Sequence, residues 1–374
     1  MHAHLLVKYP TMKPLLEHLR KPITVILGTG VVVLLLIVLV IPHAMATRYD
    51  RSASKDDAAT STLDTLFDRE PKKPVFDKEA YDAKMLSMAN YASGTPTTTP
   101  RLWPAEAPYP NEGALLPFNR IIAYYGNFYS TKMGVLGEYD EATMLSMLRA
   151  EQDKWEAADP ETPTVPAINY IAITAQELPG RENRYMLRMP DSEIDKAVAI
   201  ANKIPNGIVI LDIQIGHSSL EYELPLLEKY LSMPNVHLGL DPEFHMIDGS
   251  VPGDVIGSFD ARDINYAAEY MANLVREHNL PPKVLIVHRF TQKMVTNYQN
   301  ITPLPEVQIV MDMDGWGPPT LKLGTYRQFI VPEPVQFTGF KIFYKNDLKP
   351  PSERLLTPQD LLKLSPQPMF IQYQ

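Results

Sequence analysis

The sequence predicts an α/β chain whose larger part folds as a (β/α)8 TIM barrel, preceded by a single N-terminal transmembrane helix and a Pro-rich linker. Three observations predict it. From residue 119 onward, short apolar β-branched runs alternate with segments of helical period, the signature of parallel βαβ units. Eight strands and seven intervening helices occupy about 255 residues, the size expected of this barrel. Near the N-terminus, nineteen consecutive residues, Ile23–Ile41, carry no charge.

The apolar run ITVILGTGVVVLLLIVLVI is long enough for a bilayer core, which takes roughly 20 residues. It exceeds the roughly 7–15 apolar residues of a secretory signal. Lys13, Arg20 and Lys21 precede it and favour a cytoplasmic N-terminus, although Arg48, Arg51 and Lys55 follow. Ala44-Met45-Ala46 offers signal cleavage as the alternative. In either case the barrel is expected outside the cytoplasm, on a single-pass cell-membrane protein. The expected organisation is 1–22 cytoplasmic, 23–43 anchor, 44–117 extracytoplasmic linker and 118–374 barrel. Proline is dense over 96–117, which suits an extended spacer, and a helix is expected at 76–91.

The 374 residues carry a net charge of −9. Residues 1–46 hold four basic and one acidic side chain, a local +3, which leaves the remainder near −12. So acidic a domain lacks the cations that displace counterions from phosphates, and nucleic acid is excluded as a partner. No cysteine is present, which excludes disulfides, thiolate metal sites and a lipidated cysteine.

The strands are expected at Arg120–Gly126, Pro166–Thr174, Gly207–Ile215, Val236–Glu243, Lys283–Phe290, Val307–Asp314, Gly339–Lys345 and Met369–Tyr373. The helices are expected near 141–158, 191–204, 219–232, 262–278, 292–299, 320–329 and 357–364. Leu145, Leu148, Gln152 and Trp155 share one helical face in the first, and Leu220, Leu224, Leu227 and Leu231 in the third. An open doubly wound sheet would carry a Gly-rich phosphate loop after its first strand. Tyr124-Tyr125-Gly126-Asn127 is no such loop. The sequence ends at the eighth strand, and the helix at 76–91 is the expected cover for that strand's outer face.

In such a barrel the chemistry sits at the C-terminal ends of the strands. Three ends repeat one pattern, a carboxylate followed two residues on by a second carboxylate or an amide: Asp212/Gln214, Asp241/Glu243 and Asp312/Asp314. Alternate strand residues share a face. Acids packed on one face push some pKa values up and leave others low, the division that glycoside hydrolysis uses. Glu243, Asp241, Asp212 and Asp312 are therefore the candidate catalytic residues. Tyr124, Tyr125, Asn127, Gln214, His288, Arg289, Asp314, Trp316, Tyr344 and Tyr373 are the candidate substrate-binding residues, the aromatic ones as flat faces for sugar rings. Any single Asp at a strand end more often caps a helix; the set on one rim points to function. Asp212, His217, Asp241, His245, His288 and Asp312 suit a metal by type, but no His-x-His follows the first strand, so neither metal nor cofactor is expected. His237 reads as a core histidine.

The stretches YYGNFYSTKMGVLGEYD, VILDIQIG, VHLGLDPEFHM, PGDVIGSFDARDIN, VLIVHRFT, VMDMDGWG and GFKIFY resemble a family of uncharacterised bacterial envelope proteins, many of them lipoproteins. The resemblance covers 118–374 and implies an extracytoplasmic barrel. A broader one is to chitinase-type barrel glycosidases, whose fourth strand carries D-x-x-D-x-D-x-E. Asp241 and Glu243 match its last two positions, whereas Val236 and Gly239 stand at the earlier two. That resemblance implies Glu243 as proton donor. The sequence thus leaves three readings: a glycoside hydrolase-like protein acting on an envelope or external polysaccharide, a non-catalytic carbohydrate-binding or scaffold protein of the envelope, and a metal-dependent deacetylase or esterase.

Overall fold

In the computed structural model, which describes residues 76–92 and 101–374, eight parallel strands close on themselves. They are β1 (Arg120–Gly126), β2 (Thr164–Ala175), β3 (Ile208–Ile213), β4 (Val236–Leu240), β5 (Lys283–Arg289), β6 (Val307–Met313), β7 (Phe337–Ile342) and β8 (Phe370–Tyr373). Each pairs with its sequence neighbours, and β8 returns to β1 with Ile121 opposite Phe370. The barrel expected from the alternating runs is present. The expected anchor 23–43 and the segment 1–22 expected to precede it in the cytoplasm lie outside the described residues. Among those described, no helix is long and apolar enough to cross a membrane.

Besides one turn at Val135–Glu138, the α-helices are α1 (Lys78–Ala89), α2 (Glu141–Ala158), α3 (Asp191–Ala201), α4 (Leu220–Leu231), α5 (Ala261–His278), α6 (Pro319–Thr325) and α7 (Pro358–Leu361). Their ends follow local chemistry. Asp140 caps α2 by accepting from Thr143 N at 3.0 Å, and Asp260 opens α5 with a reciprocal box against Asp263, each satisfying amides that lack helical partners. No α-helix links β5 to β6. The expected helix at 292–299 is two single 3-10 turns around a two-residue strand, Val295–Thr296, that pairs with Phe259–Asp260.

Two apolar layers follow from strand alternation. The outer layer joins strand residues such as Ile122, Tyr124, Leu238 and Tyr373 to helix residues such as Trp155, Leu224 and Met271. The inner layer holds Ile121, Ala123, Val165, Ala167, Ile208, Ile210, Val284, Ile286, Val310, Phe337 and Phe370. Tyr81, Met85 and Met88 of α1 belong to this inner layer. The helix therefore plugs the floor of the barrel and does not cover the outer face of β8, as the sequence reading had it. Asn90 Nδ2 donates to the carbonyls of Leu362 and Leu364, and Lys84 Nζ to Thr162 Oγ1 at 2.6 Å, both on segments that lead into strands. The described end of the expected linker is docked as well. Leu116 is fully buried and exchanges two hydrogen bonds with Gln308, and Trp103 donates from Nε1 to the Val331 carbonyl at 2.9 Å.

Candidate functional site

The inner layer fixes what points into the upper barrel. Two residues beyond Ile210 on the same face is Asp212; beyond Ile286 is His288; beyond Val310 is Asp312. The same count leads from Ala167 to Asn169, from Ala123 to Tyr125, from Phe337 through Gly339 to Lys341, and from Phe370 to Gln372. On β4, Val236, Leu238 and Leu240 lie in the outer layer, so His237, Gly239 and Asp241 face inward.

A lower polar layer forms around His288. Its Nε2 is 2.8 Å from Asp212 Oδ2, and its Nδ1 is 3.1 Å from Asp312 Oδ2 and 3.4 Å from Asp314 Oδ2. Carboxylate oxygens accept, so a ring that meets them at both nitrogens is satisfied only as the imidazolium. Burial opposes that charge, but Asp212, with Asp312 and Asp314, outweighs it and holds the His288 pKa well above its ordinary value. Burial likewise opposes an ionised Asp212, yet His288, Lys341 and Asn169 keep its pKa low. Asp312 is pushed up, burial being the main cause. Asn169 donates to Asp212 Oδ2 at 3.1 Å and is itself held by Gln372 at 2.8 Å. Two glycines make room for these acids. A Cβ on Gly239 would lie 2.9 Å from Asp212 Cγ, and one on Gly339 2.5 Å from Asp312 Oδ1.

An upper layer lies toward the mouth. Lys341, buried and 4.0 Å above the Tyr125 ring centroid, pairs with Asp314 Oδ1 at 2.9 Å. Gln214 accepts from Ala175 N at 3.1 Å through Oε1, which turns its amide nitrogen toward Asp241 Oδ2 at 3.1 Å and Tyr125 Oη at 3.4 Å. Asp241 Oδ1 is left buried without a hydrogen-bond partner. Burial first, then the charges of Asp314 and Asp212, push Asp241 up to about 7 against the opposing pull of His288 and Lys341. Glu243, half-buried, is pushed up to about 8 by burial and then by Asp241 and Asp314. Both carboxyls thus hold their protons above the ordinary carboxylate range.

Asp212, Asp241, Glu243, Asp312, Asp314, His288, Gln214 and Tyr125 thus meet in one mouth. One correction concerns the route. β4 stops at Leu240, and Pro242–Phe244 is a single 3-10 turn, so Asp241 and Glu243 reach the site from a turn and not along a continuous strand. Asp212 and Asp312 lie beneath, fully buried against His288.

Other candidates face elsewhere. Tyr124 and Tyr373 are in the outer layer, Tyr124 3.0 Å from Tyr344 Oη and Tyr373 accepting from Trp155 Nε1 at 2.9 Å. Tyr344 donates to Glu151 of α2 at 3.0 Å. Tyr344 and Tyr373 line a separate cavity of about 480 Å³ between α2 and β7–β8, so these three form no platform over the acids. Arg289 alternates with His288, faces outward, and pairs with Glu333 at 2.5 Å. Asn127 closes a turn, donating to Ile171 O at 3.0 Å and accepting from Tyr129 N. Trp316, half-buried after β6, carries Lys349 over its ring at 5.1 Å. His217 and His245 are bonded to the carbonyls of Ser250 and Ser258. Among the described residues no group of three or more His, Asp or Glu is arranged to hold a metal ion.

The sequence reading missed Lys341, Asn169 and Gln372. The signal was present on β7, where Gly339 and Lys341 share the inward face with Phe337. No family model and no curated protein matches this chain.

Proposed function

We propose that the barrel mouth is a carbohydrate-cleaving site of the glycoside hydrolase type, acting on an envelope or external polysaccharide. Glu243 is the general acid: it retains its proton at neutral pH and is half-buried at the mouth, where a leaving oxygen can reach it. Asp314, salt-bridged to Lys341, is the carboxylate partner that attacks the anomeric carbon or activates water. Asp241 tunes Glu243 by its nearby charge. The observation that carries this reading is the gathering of Glu243, Asp241 and Asp314 around two buried cations, a costly arrangement for a purely structural core. The apolar run 23–41 is the proposed membrane tether, which places the mouth outside the cytoplasm.

One observation favours a second reading. Asp212, Asp312 and Asp314 are all engaged by His288 or Lys341, as in a rigid scaffold that binds glycans without cleaving them. Hydrolysis separates the two. Full-length protein in detergent is incubated with a panel of envelope and plant polysaccharides, beside Glu243→Gln. Reducing-sugar release that falls at least a thousandfold in the variant supports the enzyme. Glycan binding without release by either protein moves the function to the scaffold.

A further inference from the structure

With Tyr124, Tyr344 and Tyr373 turned into the helix layer, the rim still presents an aromatic pair, its rings tilted by 35°. Tyr185 lies in the loop after β2 and His217 in the loop after β3, their ring centroids 4.4 Å apart and both side chains half-buried. Tyr185 has φ +55°, a left-handed conformation that a bulky side chain adopts only under strain. The same loop meets its other left-handed positions with Gly180 (φ +68°) and Asn183 (φ +56°), residues suited to them. Loop closure therefore does not call for an aromatic ring at 185.

The surrounding backbone holds the ring in place. Tyr185 N donates to Pro179 O at 3.1 Å, Gln176 N to Tyr185 O at 3.0 Å, and His217 N to Arg184 O at 2.8 Å. His217 Nε2 lies 2.7 Å from the Ser250 carbonyl in the loop after β4. A carbonyl only accepts, so Nε2 carries the proton and a neutral ring keeps Nδ1 as an acceptor. The neighbouring Gly216 donates to Phe244 O at 2.9 Å and accepts from Met246 N at 3.0 Å, so the pair is tied to the backbone that carries Glu243.

We propose that Tyr185 and His217 form a carbohydrate-binding subsite on the rim beside Glu243. The Tyr185 ring takes the C–H face of a pyranose, and His217 takes one of its hydroxyls. This rests on the reading of the mouth as carbohydrate-handling, and it assigns to the loops after β2 and β3 the platform that the strand tyrosines do not supply.

The test uses full-length Glu243→Gln protein in detergent, so that ligand is not consumed, titrated calorimetrically with cellohexaose, chitohexaose and hexa-α-1,4-galacturonate. At least one hexasaccharide binds. Adding Tyr185→Asn, which suits the left-handed backbone, lowers that affinity at least tenfold while Tm stays or rises; adding Tyr185→Phe, which keeps the ring, changes affinity less than twofold. Unchanged binding in Tyr185→Asn overturns the subsite and leaves the carbohydrate reading standing. A fall of Tm in both Tyr185→Asn and Tyr185→Gly overturns it too, since the ring would then belong to the fold. Failure of the Glu243→Gln protein to bind any of the three overturns both.

Discussion

His288 carries its charge by geometry, because each ring nitrogen faces a carboxyl oxygen and a neutral ring could donate to only one of them. That cation lies between Asp212 and Asp312, while burial raises Asp312 and, nearer the mouth, Asp241 and Glu243. Their raised values have a consequence for stability. A carboxyl that titrates near 7 in the fold, against about 3.9 in an unfolded chain, binds its proton more tightly when native. Its presence therefore costs nothing below pH 4, destabilises increasingly as pH rises toward 7, and reaches its full cost above that. Asp241→Asn removes this titration. The variant is expected to gain about 2–4 kcal/mol over the parent between pH 5 and pH 8, and nothing at pH 3.5. Urea unfolding at the three pH values checks it, and a pH-independent difference would show that Asp241 is not the proton-holding group.

At the scale of the element, glycines decide what the strands can carry. Gly339 faces inward on β7, where a methyl group would lie 2.5 Å from Asp312 Oδ1 and 2.9 Å from Phe370. Asp312 is tied to His288 and has no room to withdraw. Gly339→Ala is expected to cost about 1–3 kcal/mol by overpacking. Gly324 in α6 has no atom within 4 Å of the same position, so Gly324→Ala is expected to stabilise by about 0.5–1 kcal/mol. Opposite shifts of Tm for the two variants are the result to look for, and a neutral Gly339→Ala would mean that the acids are loosely held. The acids themselves were legible in the sequence, because Asp-x-Asp and Asp-x-Gln at strand ends carry their own periodicity. The aromatic residues were not. In β1 the adjacent Tyr124 and Tyr125 face opposite layers, and only the closed barrel says which is inside. β7 ends at Ile342, not at Lys345, so its inward cation is Lys341 in the body of the strand, while Lys345 pairs on the surface with Glu138. Proline, which has no N–H to offer a ladder, follows Asp241 and breaks β4 into a turn, a break that the run of apolar residues before it did not foretell.

For the whole molecule, the decisive feature is that the barrel has a plugged floor and a polar ceiling. Layers of side chains fill its interior from Phe337 and Ile210 below to His288 and Asp312 above, but the floor is completed from outside the strand-helix repeat. Tyr81, Met85 and Met88 are each about 5% exposed, and they share one buried cluster with Leu116, Phe370 and Val165. Removing α1 would open the base of the barrel to water. Burial of such side chains is worth about 1.5–3 kcal/mol each, to which the helix adds the capping of strand entries by Asn90 and Lys84. A fragment of residues 101–374 is therefore expected to unfold at least about 5 kcal/mol more easily than one of residues 76–374, and to bind a dye that reports exposed apolar surface. Thermal and urea unfolding of the two fragments measures the difference directly. Equal stability would mean that the inner layer closes without the helix.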